Sequence, residues 1–357
     1  MNKQTAIFYS GATDVTGKAL VEALEVNGCS SKPTGVKLVI GWGAKAEGQV
    51  AFGGDVKVLN HPERIRDNRN KVKTLHTLKK SNVPVASFTE AATINNALAN
   101  GTLTLPVIGR TNFHQGGKGF WLCLTKNHIT NAINEGAQYF QNYLDMTDEY
   151  RIHVFGGEVI YAQKKIKRDN MSDAFEEQHA EKIINSAEKS GKKVDKDTLT
   201  YTLEQVGKRL QPQADMIIRS NTRGWKFVSV TTNKLSKALA EVAIAAVKAV
   251  GLDFGAVDCC ITEQGPYIIE INSGPGLEKT AFEKYVACFK KVISDTFTEK
   301  PKNTKSPEPE TLQFKSAKKA EVSNLVTKTK LMLEMAESAD EVEAAALEKV
   351  FAKMFNK

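Results

Sequence analysis

The chain has 357 residues, of which 41% are hydrophobic and 25% are charged, and its formal net charge is +8 at pH 7. A chain of this size and composition can bury a sizeable core and can hold two or three domains or one large two-lobed domain. Its lysines are spread over the whole length, whereas a specific nucleic-acid interface needs a tighter basic cluster. We therefore expect anionic ligands but no specific nucleic-acid partner.

Two further features indicate a cytoplasmic protein with no membrane segment. The N-terminal residues lack the apolar run of a signal peptide, and no stretch is apolar over the length that crosses a bilayer. The five cysteines show no CxxC spacing, and Cys259 and Cys260 lie in a predicted core strand. This pattern is typical of reduced, buried thiols and not of disulfides or zinc ligands.

The first 60 residues predict a small parallel α/β lobe. We expect strands at residues 6–9, 37–41 and 56–60, with a helix from about Val15 to Val26. Residues 11–18 resemble a phosphate-binding loop, but Ala19 replaces the Ser or Thr that would bind Mg²⁺. An ordinary strand–turn–helix connection is therefore the preferred interpretation.

A lysine-bearing helix and a glycine-rich loop follow this lobe. Lys71 lies in the first turns of this helix, where a lysine is more often solvated than a ligand, and a later strand ends in Arg110. The loop after Arg110 carries Gly116, Gly117 and Gly119. Glycines let backbone N–H groups converge on phosphate oxygens, whereas a flexible hairpin loop is the simpler alternative.

The second half of the chain alternates strands with helices. Residues 149–162 predict a β-hairpin with a Gly-Gly turn, and residues 216–221 predict a further strand. Between them, residues 164–214 are rich in charged and amide side chains and predict an inserted helical excursion. A solvated surface and a substrate or partner lid are both open interpretations of this insert.

Helices and a linker complete the C-terminal part. Residues 233–250 predict a helix capped by Asn233 and stopped by Gly251, and residues 281–297 predict another. Residues 300–317 predict a Pro- and Lys-rich linker. Beyond it, two amphipathic helices are expected at about 318–336 and 340–355, which could pack on the core, dimerise or dock a partner protein.

The stretch from Gly251 to Gly276 carries three oxygen-bearing side chains in an otherwise apolar setting. Glu270 and Asn272 are two residues apart and so leave the same face of a strand. If residues 263–265 form a three-residue loop, Asp258 faces Glu270 across a hairpin. Two carboxylates and an amide suit Mg²⁺. A polar hairpin face exposed to solvent is the alternative.

The order of these elements resembles the ATP-grasp superfamily, from about residue 60 to residue 277 without the insert. The closest resemblance is to its RimK-type branch, because residues 251–276 match the branch's final hairpin almost position for position. It implies a mixed fold, α/β with α+β character in the ATP-grasp lobes. The N-terminal lobe would span residues 1–60 and a two-lobed ATP-grasp domain residues 61–299, followed by the linker and a helical C-terminal extension over residues 318–357.

The resemblance also implies roles for individual residues. Asp258, Glu270 and Asn272 would hold Mg²⁺ or Mn²⁺ on the phosphates of ATP. Arg219 and Asn221 match the pair that faces the transferred phosphoryl group and supports the metal. The expected nucleotide contacts are Lys71, Arg110, Gly116, Gly117, Gly119, Asn142, Leu144 and Glu149.

Two of these positions depart from the family pattern. Arg110 stands where most members have a lysine, which keeps the charge and changes the geometry of the phosphate contact. Asn142 replaces the usual glutamate of the adenine hinge at residues 141–144. Because backbone groups hold much of the base at such a hinge, we expect little loss. Glu149 occupies the acidic position that binds ribose.

The implied activity is ATP-dependent ligation of a carboxylate to an amine. A carboxylate would attack the γ-phosphorus of ATP, and the acyl phosphate would react with an amine, such as that of an amino acid, to give an amide. The acceptor would be a peptide, a protein or a small molecule. Two alternatives are a nucleotide-binding scaffold without turnover and a protein that acts through its C-terminal tail alone.

Overall fold

The computed structural model describes residues 2–11, 13–44, 51–114, 118–168, 217–220 and 223–298. Most of the predicted insert, the linker and the C-terminal helices lie outside the described residues. The chain divides into two compact units, a larger one (residues 1–114, 118–162 and 231–357) and a smaller one (residues 115–117 and 163–230). Among the described residues, no helix is long and apolar enough to cross a bilayer.

The strands and helices have the following bounds. The strands are β1 (Asn2–Tyr9), β2 (Val26–Cys29), β3 (Leu38–Trp42), β4 (Lys57–Leu59), β5 (Phe88–Glu90), β6 (Val107–Arg110), β7 (Phe120–Cys123), β8 (Tyr139–Asn142), β9 (Asp148–Phe155), β10 (Glu158–Lys167), β11 (Trp225–Val230), β12 (Phe254–Thr262) and β13 (Gly265–Asn272). The helices are α1 (Val15–Leu24), α2 (Pro62–Arg69), α3 (Lys71–Lys80), α4 (Ile94–Ala99), α5 (Lys126–Asn134), α6 (Lys237–Ala249) and α7 (Lys279–Thr298).

The N-terminal lobe is a parallel sheet with the strand order β2-β1-β3-β4. It confirms the predicted parallel α/β lobe, with one difference. Helix α1 ends at Leu24 and not at Val26, because Glu25 adopts the left-handed conformation (φ 52°) that terminates a helix. The next four residues, VNGC, then form β2, which the sequence did not predict because the segment is short and contains a glycine.

Two more sheets follow, with the orders β5-β8-β6-β7 and β11-β10-β9-β12-β13. Strand β12 pairs antiparallel with β9 on one side and with β13 on the other. On one face of these strands, Val257 and Ile271 pack in a buried cluster with Leu239, Val242 and Ala246 of α6. Because side chains alternate along a strand, the polar residues of β12 and β13 lie on the opposite face.

Helix α7 joins the N-terminal lobe to β12 through aromatic packing. Tyr285 and Phe289 on α7 are fully buried. The ring of Trp42, at the end of β3, lies edge-on to Tyr285 at 5.3 Å, and the ring of Phe254, at the start of β12, lies edge-on to Phe289 at 5.1 Å. Aromatic pairs in this geometry are favourable beyond the area they bury, so the start of β12 is firmly held.

Two of the predicted elements have other bounds in the structure. The strand predicted over residues 216–221 is absent from its described part, because the N–H groups of Arg223 and Trp225 both donate to the Ser220 carbonyl and turn the chain. The strand of this region is β11, which begins at Trp225. Helix α6 begins at Lys237 with Ser236 as its N-cap, not Asn233, because residues 232–234 form a 3₁₀ turn.

The turn after β13 lies against the backbone of the N-terminal lobe. The N–H of Gly43 donates to the Ser273 carbonyl at 3.3 Å. A Cβ on Gly274 would lie 2.6 Å from the backbone nitrogen of Gly43 and 2.7 Å from its Cα. Only glycine permits this approach, which joins the end of β13 to the end of β3.

We predict that Gly274→Ala lowers the stability of the protein by about 1–3 kcal/mol, as other overpacked sites do. The matched control is Gly276→Ala, since a Cβ on Gly276 meets no atom within 4 Å. The measurement is the midpoint of thermal unfolding. Equal midpoints for the two variants would show that the contact with Gly43 is not rigid.

Candidate functional site

Four charged side chains form a row across β9, β12 and β13 and end on α3. Arg151 lies opposite Asp258, and Asp258 lies opposite Glu270. The guanidinium of Arg151 donates from Nε to Oδ1 of Asp258 at 2.8 Å and from Nη2 to Oδ2 at 2.9 Å. Nζ of Lys71 donates to Oε1 of Glu270 at 2.6 Å. The signs of charge along the row are therefore positive, negative, negative and positive.

The predicted pairing of Asp258 with Glu270 is confirmed, but the predicted three-residue loop is wrong. Thr262 pairs with Gly265, which leaves a two-residue turn at residues 263–264. The Thr262 hydroxyl closes this turn: it donates to the Gly265 carbonyl and accepts from the Gln264 N–H, both at 3.1 Å.

The extra residue lies in β13 as a β-bulge. Cys259 pairs with Ile268 and Asp258 pairs with Glu270, so Ile269 has no residue opposite it. The bulge changes which face of the strand the following residues occupy. Ile268 is therefore buried in the core with Cys259, while Glu270 faces the site with Asp258. Without the bulge, Ile268 and Glu270 would point to the same side.

Burial and charge make the Arg151–Asp258 pair the most constrained part of the row. Asp258 is 5% exposed and Glu149, which lies two residues before Arg151 on the same face of β9, is 4% exposed. Burial acts to lower the pKa of Arg151, but the Asp258 carboxylate, aided by Glu270 and Glu149, raises it overall. Arg151 thus stays charged and satisfies both oxygens of a carboxylate in a buried strand.

Arg110 holds the two described ends of the glycine-rich loop. Its Nε donates to the Gly119 carbonyl at 3.1 Å, and its Nη2 lies 2.6 Å from Nδ1 of His114. The guanidinium also lies over the ring of Phe120, at 5.1 Å from the centroid. A forked guanidinium can make all these contacts at once, whereas a lysine ammonium cannot.

His114 is neutral, and its ring contacts both Arg110 and a buried tyrosine. Burial, together with the charges of Arg110 and Lys71, lowers the pKa of His114 to about 3. Because Arg110 has no acceptor, Nδ1 of His114 accepts its hydrogen bond, and the proton of the ring lies on Nε2, 3.4 Å from the Tyr139 hydroxyl. Burial raises the pKa of Tyr139 to about 12, so it remains a hydroxyl.

Lys71 is joined to the same loop through its backbone. Its N–H, at the start of α3, donates to the Asn112 carbonyl at 3.1 Å. Burial lowers the pKa of Arg110, and Tyr139 and Glu270 oppose that change. Lys71 and Arg110 thus lie on the Glu270 side of the row.

The other predicted residues are distributed as follows. Asn272 ends β13 on the face that Glu270 occupies, and Gly119 has the positive φ (57°) that favours glycine. Asn142 ends β8, where its side chain accepts from the Thr104 N–H at 3.0 Å, and the half-buried Leu144 follows two residues later. Arg219 belongs to the smaller unit, where it lies over the Trp225 ring. Three predicted residues lie outside the described part of the chain: Gly116, Gly117 and Asn221.

The donor set of the row fits a hard divalent cation. No group of three or more His, Cys, Asp or Glu side chains with metal-binding geometry occurs in the described residues, so the set depends on two carboxylates and the Asn272 amide. A carboxylate has about four lone-pair sites, and the ion pairs with Arg151 and Lys71 use only some of those on Asp258 and Glu270. Mg²⁺ commonly takes one or two carboxylates and completes its shell with water and phosphate.

Sequence reasoning did not assign roles to two residues of this site, Arg151 and His114. The signal for Arg151 was its position two residues after Glu149, which puts both on one face of β9. His114 had a weaker signal, since a histidine four residues after a strand-end arginine is more often a solvated loop residue. Only the structure shows that it accepts from Arg110.

We predict that Arg151→Met lowers the stability by about 3 kcal/mol, because it leaves the buried Asp258 carboxylate without its partner. Changing both residues, in Arg151→Met/Asp258→Leu, should recover a large part of the loss. The control is Lys73→Met, which breaks an exposed pair with Asp67 and should change stability by less than about 1 kcal/mol. Chemical denaturation checks all three, and equal losses in the single variants would contradict the prediction.

Comparison with known proteins adds a family match. Residues 204–294 match the family of RimK-like ATP-grasp domains. The chain is 46% identical over 72 residues to a probable alpha-L-glutamate ligase of Psychromonas ingrahamii. This aligned region covers 19% of this chain and 23% of that protein. It is 31% identical over 124 residues to a protein of the same name from Legionella pneumophila (strain Corby), with shares of 34% and 40%. The chain thus spans less than half the length of these relatives.

Solved structures show the same fold at low sequence identity. The ATP-grasp ligase PsnB, complexed with a phosphomimetic variant of its minimal precursor, Mg and ADP, aligns with a TM-score of 0.51 at 13% identity, over 83% of this chain and 99% of that chain. The RimK domain protein of Sphaerobacter thermophilus gives 0.51 at 12% identity, over 82% and 98%. D-alanine–D-alanine ligase of Bacillus anthracis gives 0.51 at 9% identity, over 82% and 96%.

Proposed function

We propose that this chain, which matches the family of RimK-like ATP-grasp domains over residues 204–294 and shares the fold of ATP-grasp ligases, is an ATP-dependent carboxylate–amine ligase. The observation that carries the proposal is the row of Arg151, Asp258, Glu270 and Lys71, which presents two carboxylates on neighbouring strands, each paired with a cation. Phosphoryl transfer from ATP depends mainly on positioning and on electrostatic stabilisation, and the charges of this row support such a role.

In this proposal the residues in and beside the row bind two different groups, the metal and the phosphates. Asp258, Glu270 and Asn272 hold Mg²⁺ or Mn²⁺, which supplies a Lewis acid that neutralises charge on the phosphates of ATP. Lys71 and Arg110 contact the phosphates, and their charges favour the approach of a carboxylate to the γ-phosphorus.

Further contacts come from the loop, the hinge and the smaller unit. Gly116, Gly117 and Gly119 cover the phosphates, Asn142 and Leu144 flank adenine, and Glu149 binds ribose. Arg219 and Asn221 face the transferred phosphoryl group. These assignments rest on the motif resemblance, and for Glu149 also on its place two residues before Arg151 on β9.

The substrates are a carboxylate and an amine, joined through an acyl phosphate. We infer that the amine is that of an amino acid, and L-glutamate is the first candidate because the curated relatives are named probable alpha-L-glutamate ligases. A peptide is a candidate acceptor, since PsnB is bound to a precursor in its structure. The proposed site of action is the cytoplasm.

The second candidate function is a nucleotide-binding scaffold without turnover. Arg110 favours it, because its guanidinium is engaged by Gly119 and His114 at the position where a lysine is usual. Such a scaffold would bind a partner through the C-terminal helices predicted at residues 318–357. It predicts nucleotide binding without ADP formation under any combination of acceptor and amine.

We expect the protein to release ADP from ATP only when an amine and a carboxylate acceptor are both present. Asp258→Asn and Glu270→Gln should each lower this rate by about 100-fold or more, since they remove charge that acts on the transition state. The measurement is coupled ADP release with L-glutamate and a panel of amino-acid and peptide acceptors, with product masses recorded.

The control for this experiment is Glu283→Gln, which changes an exposed carboxylate of α7 and should leave the rate unaltered. Equal ADP release in all variants would indicate a contaminating ATPase and would contradict the ligase proposal. Binding of ATP without any release would favour the scaffold.

We also expect Arg110→Lys to weaken ATP binding by about tenfold, even though lysine is the usual residue, because losing a hydrogen bond to a charged group costs about 1.5 kcal/mol. His114→Gln, which keeps an acceptor for Arg110, should retain more affinity than His114→Leu. Calorimetric titration with a non-hydrolysable ATP analogue measures both effects.

The matched control is Arg66→Lys, the same exchange at an exposed position of α2, which should bind the analogue like the wild type. If Arg110→Lys binds the analogue as tightly as the wild type, the forked contacts of Arg110 are not needed to hold the nucleotide.

A further inference from the structure

The carboxylates of the row are already neutralised by protein cations. Lys71 donates to Glu270 at 2.6 Å, and Arg151 makes a bidentate contact with Asp258. The four charges sum to zero. A free divalent cation that enters the row therefore adds two positive charges beside two existing cations, with no excess negative charge to receive them.

Two further charged side chains of the described residues, Arg110 and Glu149, also have opposite signs. Arg110 acts electrostatically on Glu270, and Glu149 acts on Arg151, so the next pair of charged groups again contributes one charge of each sign. His114, which lies near Arg110 and Lys71, is neutral. A nucleoside triphosphate, in contrast, brings several negative charges, which both the metal and Lys71 can approach.

The two ion pairs differ in how easily they can exchange partners. Arg151 engages both oxygens of Asp258, whose side chain is 7% exposed, and two parallel hydrogen bonds resist separation. Lys71 engages one oxygen of Glu270, and the Glu270 side chain is 27% exposed. A lysine on a flexible stem can leave this oxygen for a phosphate, whereas Arg151 stays in place.

We propose that Lys71 and Arg151 make this site selective for a divalent metal–nucleotide complex over the free divalent cation. The inference rests on the proposed function, because it assumes that the row binds such a complex. Lys71 exchanges partners. It is paired with Glu270 in the absence of nucleotide, and it moves to the phosphates when nucleotide binds, so that the Glu270 carboxylate can bind the metal. Arg151 is a positioning residue that holds the Asp258 carboxylate in place both with and without bound nucleotide.

The test is direct Mn²⁺ binding, measured by the loss of the free-ion electron paramagnetic resonance signal, with and without a non-hydrolysable ATP analogue. Wild-type protein should bind Mn²⁺ at least about tenfold more tightly with the analogue, a coupling of ordinary size between adjacent ligands. In Lys71→Met, Mn²⁺ alone should bind more tightly than in the wild type, and the analogue should bind more weakly.

Opposite changes in one variant cannot result from misfolding, which weakens both. Lys71→Arg keeps the charge and should restore weak binding of Mn²⁺ alone. Lys73→Met, which removes an exposed lysine of the same helix, should behave like the wild type.

The outcomes separate the inference from the proposed function. Wild-type protein that binds Mn²⁺ equally with and without the analogue overturns the inference and leaves the ligase proposal intact. A Lys71→Met variant that binds Mn²⁺ alone no more tightly than the wild type also overturns it. Wild-type protein that binds neither Mn²⁺ nor the analogue contradicts both.

Discussion

A buried carboxylate in the centre of a sheet has to be compensated, and the compensation of Asp258 organises this molecule. Asp258 lies on β12, between β9 and β13, and is 5% exposed. A charge in this position is tolerated when it is paired and fully hydrogen-bonded, which the bidentate contact with Arg151 achieves. Glu270 adds a second negative charge directly opposite, and Lys71 balances that charge from α3. The arrangement combines the geometry of a structural ion pair with carboxylate oxygens of the kind that bind hard cations.

The rest of the fold keeps this row in register. The bulge at Ile269 allows β13 to bury Ile268 and still present Glu270 to the site. The stacking of Trp42 on Phe254 fixes the start of β12, and the close approach of Gly274 to Gly43 fixes the turn after β13. Both contacts involve the N-terminal lobe, so that lobe contributes to the precision of the site. The proposed function and the stability of the protein therefore depend on the same strands.

The fold and the facing carboxylates could be predicted from the sequence, whereas the bulge and the ion pairs could not. Alternation and turn residues indicate that Asp258 and Glu270 face each other, since one face must be apolar. They do not indicate whether an extra residue lies in the turn or in the strand, because both arrangements give the same pairing at the site. The contacts of Arg151 and His114 depend on side chains brought together from distant segments. Strand β11 was missed because Ile217 and Ile218 are more apolar than the residues that form it, and a local turn at Ser220 decided the outcome.

The central claim is that the row of Asp258 and Glu270 binds a divalent metal together with a nucleotide. The most direct measurement is anomalous diffraction from crystals of the full chain grown with Mn²⁺ and a non-hydrolysable ATP analogue. We expect a manganese peak between the two carboxylates and the phosphates, with Arg151 still on Asp258 and Lys71 moved from Glu270 to phosphate. A nucleotide bound elsewhere, or a row that keeps its Lys71–Glu270 pair and holds no manganese, would contradict it.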